Sequence, residues 1–490
     1  MGGTRQPRGT GHSVLPVLAV ALTPALFGAC TVELPPRPQL VVVVDTDAPV
    51  TGQVLSDPGL SLDAAVDRVR VDRLEGDGRV SLSRSFVVHE AIDWPLSFGV
   101  VGTGEVTLRI RAYRAADATA TDGDGLDAPP LTTSIDRVVV VALPAEGVRT
   151  VRVDLSSDCR NAPPSLFEPR STCVDKARLR ASPREGVVDV SGGAVATSRV
   201  GSWASAREVP CRGAPPAGSE ARCIPGGFSQ LGDAELTLQV SAEFQGTVVP
   251  PRPTVVSPFF LDIKEVTVGR ARPLLSRLQS PPPVSKNDPA QPIYVDCTFT
   301  ADRASDALPL NCVSWPTAKE LCGLLGGALP TEAQWNHAAR GRGQRRRYPW
   351  GSQEPECCSA SFSRPNALGL AACEGSSGVE PAGSHPWDPA CGVRGGGDES
   401  RDHILDLAGS LTEMVEDVEG PYDGPCWTTP GVFFDPACLR GTETARVLKG
   451  ANFSAGVGAL TNAGRRWLST QVSATAQSPT YGFRCAYVDK

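Results

Sequence analysis

"LPTEAQWNHAARG", residues 329–341, decides how the second half of the chain is read. Thr331 is a good N-cap residue and Gln334 follows it by three positions, the spacing of a capping box. Trp335, Ala338 and Ala339 then share one helical face, and Gly341 supplies the stop. Just upstream, "NCVSWPTAKELCGLLGG" (311–327) puts Ala318, Leu321, Cys322 and Leu325 at helical spacing, with Pro316 tolerated in the first turn and Gly326 and Gly327 closing it. Two short helices set in Gly-, Pro- and Trp-rich chain predict a domain with little regular structure, in which disulfides and aromatic packing compensate.

Further upstream the period changes from helical to alternating. "LVVVV" (40–44), "VTLRIRAY" (106–113), "RVVVVAL" (137–143) and "VRTVRVDL" (148–155) read as strands. In the second of them Val106, Leu108, Ile110 and Ala112 form one face, and Thr107, Arg109 and Arg111 the other. Strands at short spacing with no helical pattern between them predict a β-sandwich over 40–155. The loop "DATATDGDGLDAPP" gathers Asp117, Asp122, Asp124 and Asp127, but no Glu closes an EF-hand register, so a solvated acidic turn is expected rather than a calcium loop. Residues 156–222, rich in Pro, Gly, Ser and Arg, read as a linker or a small stapled insert. The fold class expected is therefore α+β, with a β-sandwich ahead of an irregular domain spanning 223–490.

The N-terminal residues place the chain in a compartment. Arg5 and Arg8 precede an apolar stretch from Val14 to Phe27, which is broken by Pro16 and Pro24 and shorter than the roughly 20 residues a spanning helix needs. It reads as a cleaved signal over 1–29, followed by a Pro-rich tether over 30–39. "LFGAC" resembles the lipobox of bacterial lipoproteins, so Cys30 is expected to be lipidated and the chain to sit in the bacterial cell envelope, anchored to a membrane. Fifteen cysteines is an odd number; giving Cys30 to lipid leaves fourteen that can pair. Local pairs such as Cys159 with Cys173, Cys211 with Cys223, Cys297 with Cys312 and Cys426 with Cys438 fit a disulfide framework of an oxidising compartment. The pairing among Cys357, Cys358, Cys373 and Cys391 is left open by their spacing. A net charge of -7 argues against a nucleic-acid partner. The one basic run, "RGRGQRRR" (340–347), is expected to be a solvated loop, the alternative being contact with an anionic surface.

The helical motif also carries a family resemblance. "IPGGFSQLGD" (224–233), "PFFLDIKEVT" (258–267), "LPLNCVSWPTAKELC" (308–322), "LPTEAQWNHAARG", "YPWG" (348–351), "DLAGSLTEMVED" (406–417), "RVLKGANF" (446–453) and "YGFRCA" (481–486) resemble, in order and spacing, the sulfatase-modifying factor family of the formylglycine-generating enzymes. The resemblance implies a mostly irregular fold related to C-type lectins, and it implies that Cys322 pairs with Cys485.

What the resemblance implies for chemistry turns on one segment. The family's oxidases hold one copper ion through two cysteines, an apt pair because soft thiolates select Cu(I). In this chain the first cysteine position falls on Ala455 and the second on Leu460 or Thr461, and no cysteine lies between Cys438 and Cys485. "ALTNAGRR" (459–466) instead looks like the segment of family members without the cysteines. There Arg465 supports the core or the rim of a groove that also contains Asn452. The alternative is a carboxylate or phosphate clamp shared by Arg465 and Arg466. The related iron-dependent sulfoxide synthases need three histidines, whereas His89, His337, His385 and His403 lack facial-site spacing, and His337 reads as a packed residue. Family members also hold calcium, for which Asn366 and Glu413 match, although Ser410 stands where an asparagine would contribute an oxygen. No cofactor is required by this reading, and calcium is the one the resemblance allows. The expected function is a non-catalytic recognition or scaffold module for a peptide, an envelope protein or a glycan. The competing expectation is a formylglycine-generating-type oxidase or another oxidoreductase of that fold.

Overall fold

Inward-facing valines, leucines and isoleucines at alternate positions draw two four-stranded sheets together at the N-terminal end. In the computed structural model β1 (Gln39–Thr46), β2 (Arg68–Leu74), β3 (Val80–Val87), β4 (Leu96–Val101), β5 (Glu105–Tyr113), β6 (Ile135–Ala142), β7 (Val148–Leu155) and β8 (Val187–Asp189) are ordered β4-β1-β7-β8 and β3-β2-β5-β6. The structure describes residues 38–193, 197–233, 248–286, 296–365, 373, 378–440, 445–462, 464–467 and 476–490, with 466 and 467 described by their backbone alone. Cys30 and Asn366 lie outside the described residues, as does the side chain of Arg466.

Val106, Leu108, Ile110 and Ala112 are all buried between the sheets, as their alternation predicts. The opposite face of the same strand is not simply solvated. Arg109 pairs with Asp136, and Arg111 with Asp72, whose other oxygen accepts from Arg70 Nε at 2.8 Å. β2, "RVRVDRL", places Val69 and Val71 between Arg68, Arg70 and Asp72, so it carries a strand alternation of its own although it is not among the strands expected from sequence. The acidic loop closes over the same face. Asp122 pairs with Arg70 and Asp127 accepts from the Tyr113 hydroxyl, so the turn is bound to the sheet rather than free in solvent.

Residues 156–222 do not span a gap. Val187–Asp189 adds β8 to the edge of the first sheet, Cys159 is joined to Cys173, and Cys211 to Cys223. The chain then enters the second unit. Its strands are β9 (Ala221–Ile224), β10 (Gly227–Leu231), β11 (Arg252–Val256), β12 (Phe259–Asp262), β13 (Thr412–Val418), β14 (Phe433–Phe434), β15 (Arg446–Lys449), β16 (Arg466–Trp467), β17 (Tyr481–Gly482) and β18 (Ala486–Val488). They make three small sheets, β10-β11-β14, β18-β12-β9 and β16-β15-β13-β17. The two helices are Trp315–Leu324 and Glu332–Ala339. Thr331 Oγ1 accepts from Gln334 N at 3.1 Å and Gln334 Oε1 accepts from Thr331 N at 2.9 Å, which completes the capping box. Further disulfides join Cys297 to Cys312, Cys322 to Cys485, Cys357 to Cys373, Cys358 to Cys391, and Cys426 to Cys438. Among the described residues no helix is long and apolar enough to cross a membrane.

The two units share a core. Val54, Leu60, Ala64, Ala65 and Trp203 from the first pack with Phe228 from the second, and the Trp203 and Phe228 rings meet edge to face at 5.0 Å. The basic run sits at this junction, which overturns its reading as a solvated loop. Arg345 is buried, pairs with Asp117 and lies 3.3 Å from Asp63; Arg342 pairs with Glu208 and reaches Asp402 at 3.1 Å. The carboxylates it meets belong largely to its own chain's preceding segments, so the charges cancel inside the molecule. Asn161 adds a polar tie: its Oδ1 accepts from Arg252 at 2.6 Å and its Nδ2 donates to the carbonyls of Thr429 and Gly431. Asn161→Ala leaves these groups buried and unpaired, so equilibrium denaturation followed by tryptophan fluorescence should show a loss of about 1–3 kcal/mol.

Candidate functional site

At the end of β15 the chain must turn sharply. Gly450 has φ +71°, and a Cβ there would lie 2.6 Å from the Leu407 carbonyl, so glycine is required. Beyond it the backbone threads between two loops. Ala451 N donates to Ala408 O and Phe453 N to Ser410 O on one side; Arg364 N donates to Phe453 O and Ser363 N to Ala455 O on the other. This course delivers Leu460 into an apolar cluster with Tyr348, Trp350, Phe362, Ala408 and Ala451, against which Ala455 and Ala459 also pack. Tyr348 and Trp350 stack at 5.0 Å with their planes 8° apart.

The positions aligned with the copper cysteines therefore carry a methyl group in Ala455, a buried isobutyl group in Leu460 and a buried hydroxyl in Thr461. None is a soft ligand, and the residues present do not fit copper. All fourteen cysteines among the described residues are in disulfides. Beside the cluster is an open pocket, with Trp350 on one wall and Gln353, Glu354, Glu356 and Arg394 around it.

Beneath the segment is an ion network. Arg465 donates to both oxygens of Glu332, from Nε at 2.8 Å and Nη2 at 2.9 Å, and stacks over the Tyr422 ring. Tyr422 also donates to Glu332 at 2.8 Å, and Lys449 Nζ lies 3.8 Å from the same carboxylate while donating to Gly464 O. Arg465 and Lys449 hold Glu332 ionised against its burial, and burial lowers Lys449 to about 8. Arg465 is thus turned into the core and cannot form an exposed clamp with Arg466. Asn452 is likewise committed: its Nδ2 reaches Thr412 Oγ1 and its Oδ1 accepts from the backbone and hydroxyl of Ser454. Arg465 thus supports the core, one of the two places the resemblance implies for it, while the groove rim for Arg465 and the groove position for Asn452 are corrected.

A second buried network occupies the place where calcium is implied. Glu413 accepts from Arg484 Nε at 2.8 Å on both oxygens and from Trp335 Nε1 at 2.8 Å. Arg484 also donates to the carbonyls of Asp262, Ile263, Leu405 and Asp406. A carboxylate already enclosed by a guanidinium and an indole has no oxygen left for a metal, so Glu413 does not fit as a calcium ligand. Among the described residues no group of three His, Cys, Asp or Glu side chains is placed to hold a metal ion. Sequence alone singles out neither Arg484 nor Glu332, although they stand inside "YGFRCA" and "LPTEAQW". For Arg484 the available signal was a charged residue between Phe483 and Cys485.

The histidines are not brought together either. His385 pairs with Glu380, His403 with Glu399, and His337 is wholly buried with Nε2 2.9 Å from the Pro225 carbonyl. Burial lowers His337 to about 4. Its folded value lies below its unfolded value of roughly 6.5, so its contribution is present above that pH and is lost as pH falls towards 4. A His337→Gln variant should lack a component worth roughly 3 kcal/mol that wild type loses between pH 6.5 and 4. Matched denaturation series for the two proteins would measure the difference.

Comparison with known proteins gives this geometry its context. The chain is 28% identical over 181 residues to the mouse protein "Inactive C-alpha-formylglycine-generating enzyme 2", covering 36% of this chain and 49% of that one. It is 27% identical over 180 residues to the cow protein of the same name, so it spans about half the length of the curated relatives it matches. Among solved structures, PvdO from Pseudomonas aeruginosa is similar over 55% of this chain and 94% of its own, at 15% identity and TM-score 0.40. CarF is similar over 55% of this chain and 98% of its own, at 14% identity and TM-score 0.35. The family model for the sulfatase-modifying factor enzyme 1-like domain matches residues 211–488, starting upstream of the 223 boundary at the cysteine that is tied to Cys223. Because that match takes in both helices, both buried ion networks and the substituted copper segment, and more than half of the chain, the protein belongs to the sulfatase-modifying factor enzyme 1-like domain family.

Proposed function

We propose that the second unit is a non-catalytic recognition or scaffold module, presented from the cell envelope by a chain that is exported and lipidated at Cys30. The observation that carries the first part is the filling of the copper positions: Leu460 is packed against Tyr348, Trp350 and Phe362, and Ala455 flanks it. An oxidase of this family needs two facing thiolates at that point, and the chain supplies hydrocarbon. Two mammalian relatives whose names call them inactive agree with this reading. The open pocket against Trp350, with amide, carboxylate and guanidinium side chains around it, offers a peptide, an envelope protein or a glycan both an apolar wall and hydrogen-bonding groups. Export and lipidation rest on the sequence of residues 1–30.

Purified protein should contain no stoichiometric copper and consume no oxygen with a cysteine-containing sulfatase peptide, while an affinity pull-down from envelope membranes should enrich a partner that Trp350→Ala fails to retain. Stoichiometric copper with turnover would replace this reading with the oxidase. Ala455→Cys combined with Leu460→Cys or Thr461→Cys should not restore oxidation, because Leu460 is directed into the packed cluster and a sulfur there faces aromatic rings. Peptide conversion by such a double variant would show a scaffold lacking only its ligands.

A further inference from the structure

The β-sandwich of the N-terminal unit protects two of its edges and leaves two open on one side. At one end β8 is only three residues long and ends in Asp189, and β6 is covered by the chain that follows the sandwich: Val138 N donates to Thr172 Oγ1 and Val140 N to Pro183 O. Short edges and covered edges resist further pairing. At the other end β3 and β4 are both terminal strands of their sheets. β4, "LSFGVV", contains no charged residue and no proline, and among the described residues it pairs only with β1.

The inner face of β3 is also uncovered. Val71 is opposite Arg84 on β3 and Ile110 on β5, and Arg73 is opposite Leu82 and Leu108. Directly opposed residues share a face, and Val71, Leu108 and Ile110 face the core. Leu82 and Arg84 therefore point inwards, yet Leu82 is 53% exposed, whereas Leu108 two strands away is 2% exposed. The outward residues Ser83 and Ser81 are hydrogen-bonded to β2, so β3 is not inverted. Between Leu82, Arg84, Phe98 and Val100 lies a shallow cleft, with Arg73 at its rim and Val101 beside it 61% exposed. Among the described residues no strand lies next to β4 and over β3.

We propose that this seam is a docking site for an extended strand of a protein partner. The strand pairs with the free edge of β4 and lays alternate apolar side chains over Leu82, Phe98 and Val100. It places one acidic side chain between Arg73 and Arg84. Backbone hydrogen bonds supply affinity and the cleft supplies side-chain choice, as in other strand additions to a sheet edge. The acidic preference follows from charge: Arg73 makes one long bond to the Val101 carbonyl, at 3.5 Å, and among the described residues Arg84 has no carboxylate partner. This site is separate from the pocket against Trp350 and does not depend on the reading of that pocket.

The test uses the full mature chain and a fluorescein-labelled octapeptide in which threonine alternates with valine and one central valine is replaced by aspartate. Saturable binding is expected, with slowed hydrogen exchange confined to Leu96–Val101 and the adjoining β3 amides. Leu82→Asp should weaken it about tenfold, and Arg84→Glu should reverse the preference to the matching lysine peptide. Both positions are exposed, and unchanged near-ultraviolet circular dichroism shows that the variants fold. Absence of saturable binding, protection elsewhere than β4 and the adjoining β3 amides, or equal affinity of wild type and Arg84→Glu for the two peptides each overturns the proposal. Binding of laurate at the seam without peptide binding also overturns it and makes the cleft an acyl-chain site.

Discussion

Replacing Cys322 and Cys485 together by alanine should lower the unfolding free energy by about 5 kcal/mol, the value chain-entropy reasoning gives for a loop as long as this one. The bond spans a sequence separation of 163 and joins the first helix to the segment that leads into β18. Both sulfurs are fully buried in a core with Leu321, Phe483 and Tyr487, so their removal also leaves a small void. The entropic origin has its own signature. Without the bond the unfolded chain is more expanded and exposes more surface, so the denaturant slope should rise as the midpoint falls. A loss below 1 kcal/mol with an unchanged slope would mean that the packed core alone fixes this end of the domain.

The contrast between the two halves shows which physics leaves a mark on sequence. β5 was legible because its core face and its other face alternate residue by residue. The second helix was legible because Thr331 and Gln334 act within three residues of each other, and local hydrogen bonds need no tertiary partner. β2 carries a shorter form of the β5 alternation in Val69 and Val71, whereas β3 and β4 were not legible. Arg70 and Asp72 are buried only because Asp122 and Arg111, far along the chain, neutralise them. β3 presents Leu82 and Arg84 inwards without a cover, so its pattern obeys no core rule. The same limit applies to the site. The loss of the copper ligands could be read from Ala455 and Leu460 alone, because it is a property of residue type. That Arg465 turns inwards to Glu332, and that Asn452 is spent on Thr412 and Ser454, depends on contacts across the fold. The basic run from Arg340 to Arg347 looks solvated in sequence for the same reason: its partners Asp63 and Asp117 come from the other unit, more than two hundred residues earlier.

Arg484→Met tests the most concentrated of these long-range arrangements. Its guanidinium satisfies Glu413 and four backbone carbonyls, and it stands among Glu265, Asp406 and Glu413, all buried. Burial and neighbouring carboxylates push Glu265 well above the usual carboxylate range and Glu413 upwards, burial raises Asp406, and Arg484 pulls each of them down. Removing one partner of a buried pair costs about 3–5 kcal/mol, because the charge left behind has neither water nor a counter-ion. The pH dependence identifies the cause. In the variant these carboxyls are raised further in the folded state than in wild type, so the folded protein keeps protons that the unfolded chain releases. A raised acid pKa gives stability that declines as pH rises above the unfolded value of roughly 4, so the deficit of Arg484→Met should be smallest near pH 4 and grow to its full size by pH 7. Adding Glu413→Gln should recover part of the loss at pH 7 and little at pH 4, since the amide carries no charge to strand but still accepts from Trp335. A deficit that is the same at both pH values would show that Arg484 acts through packing and its carbonyl bonds rather than by neutralising the carboxylates around it.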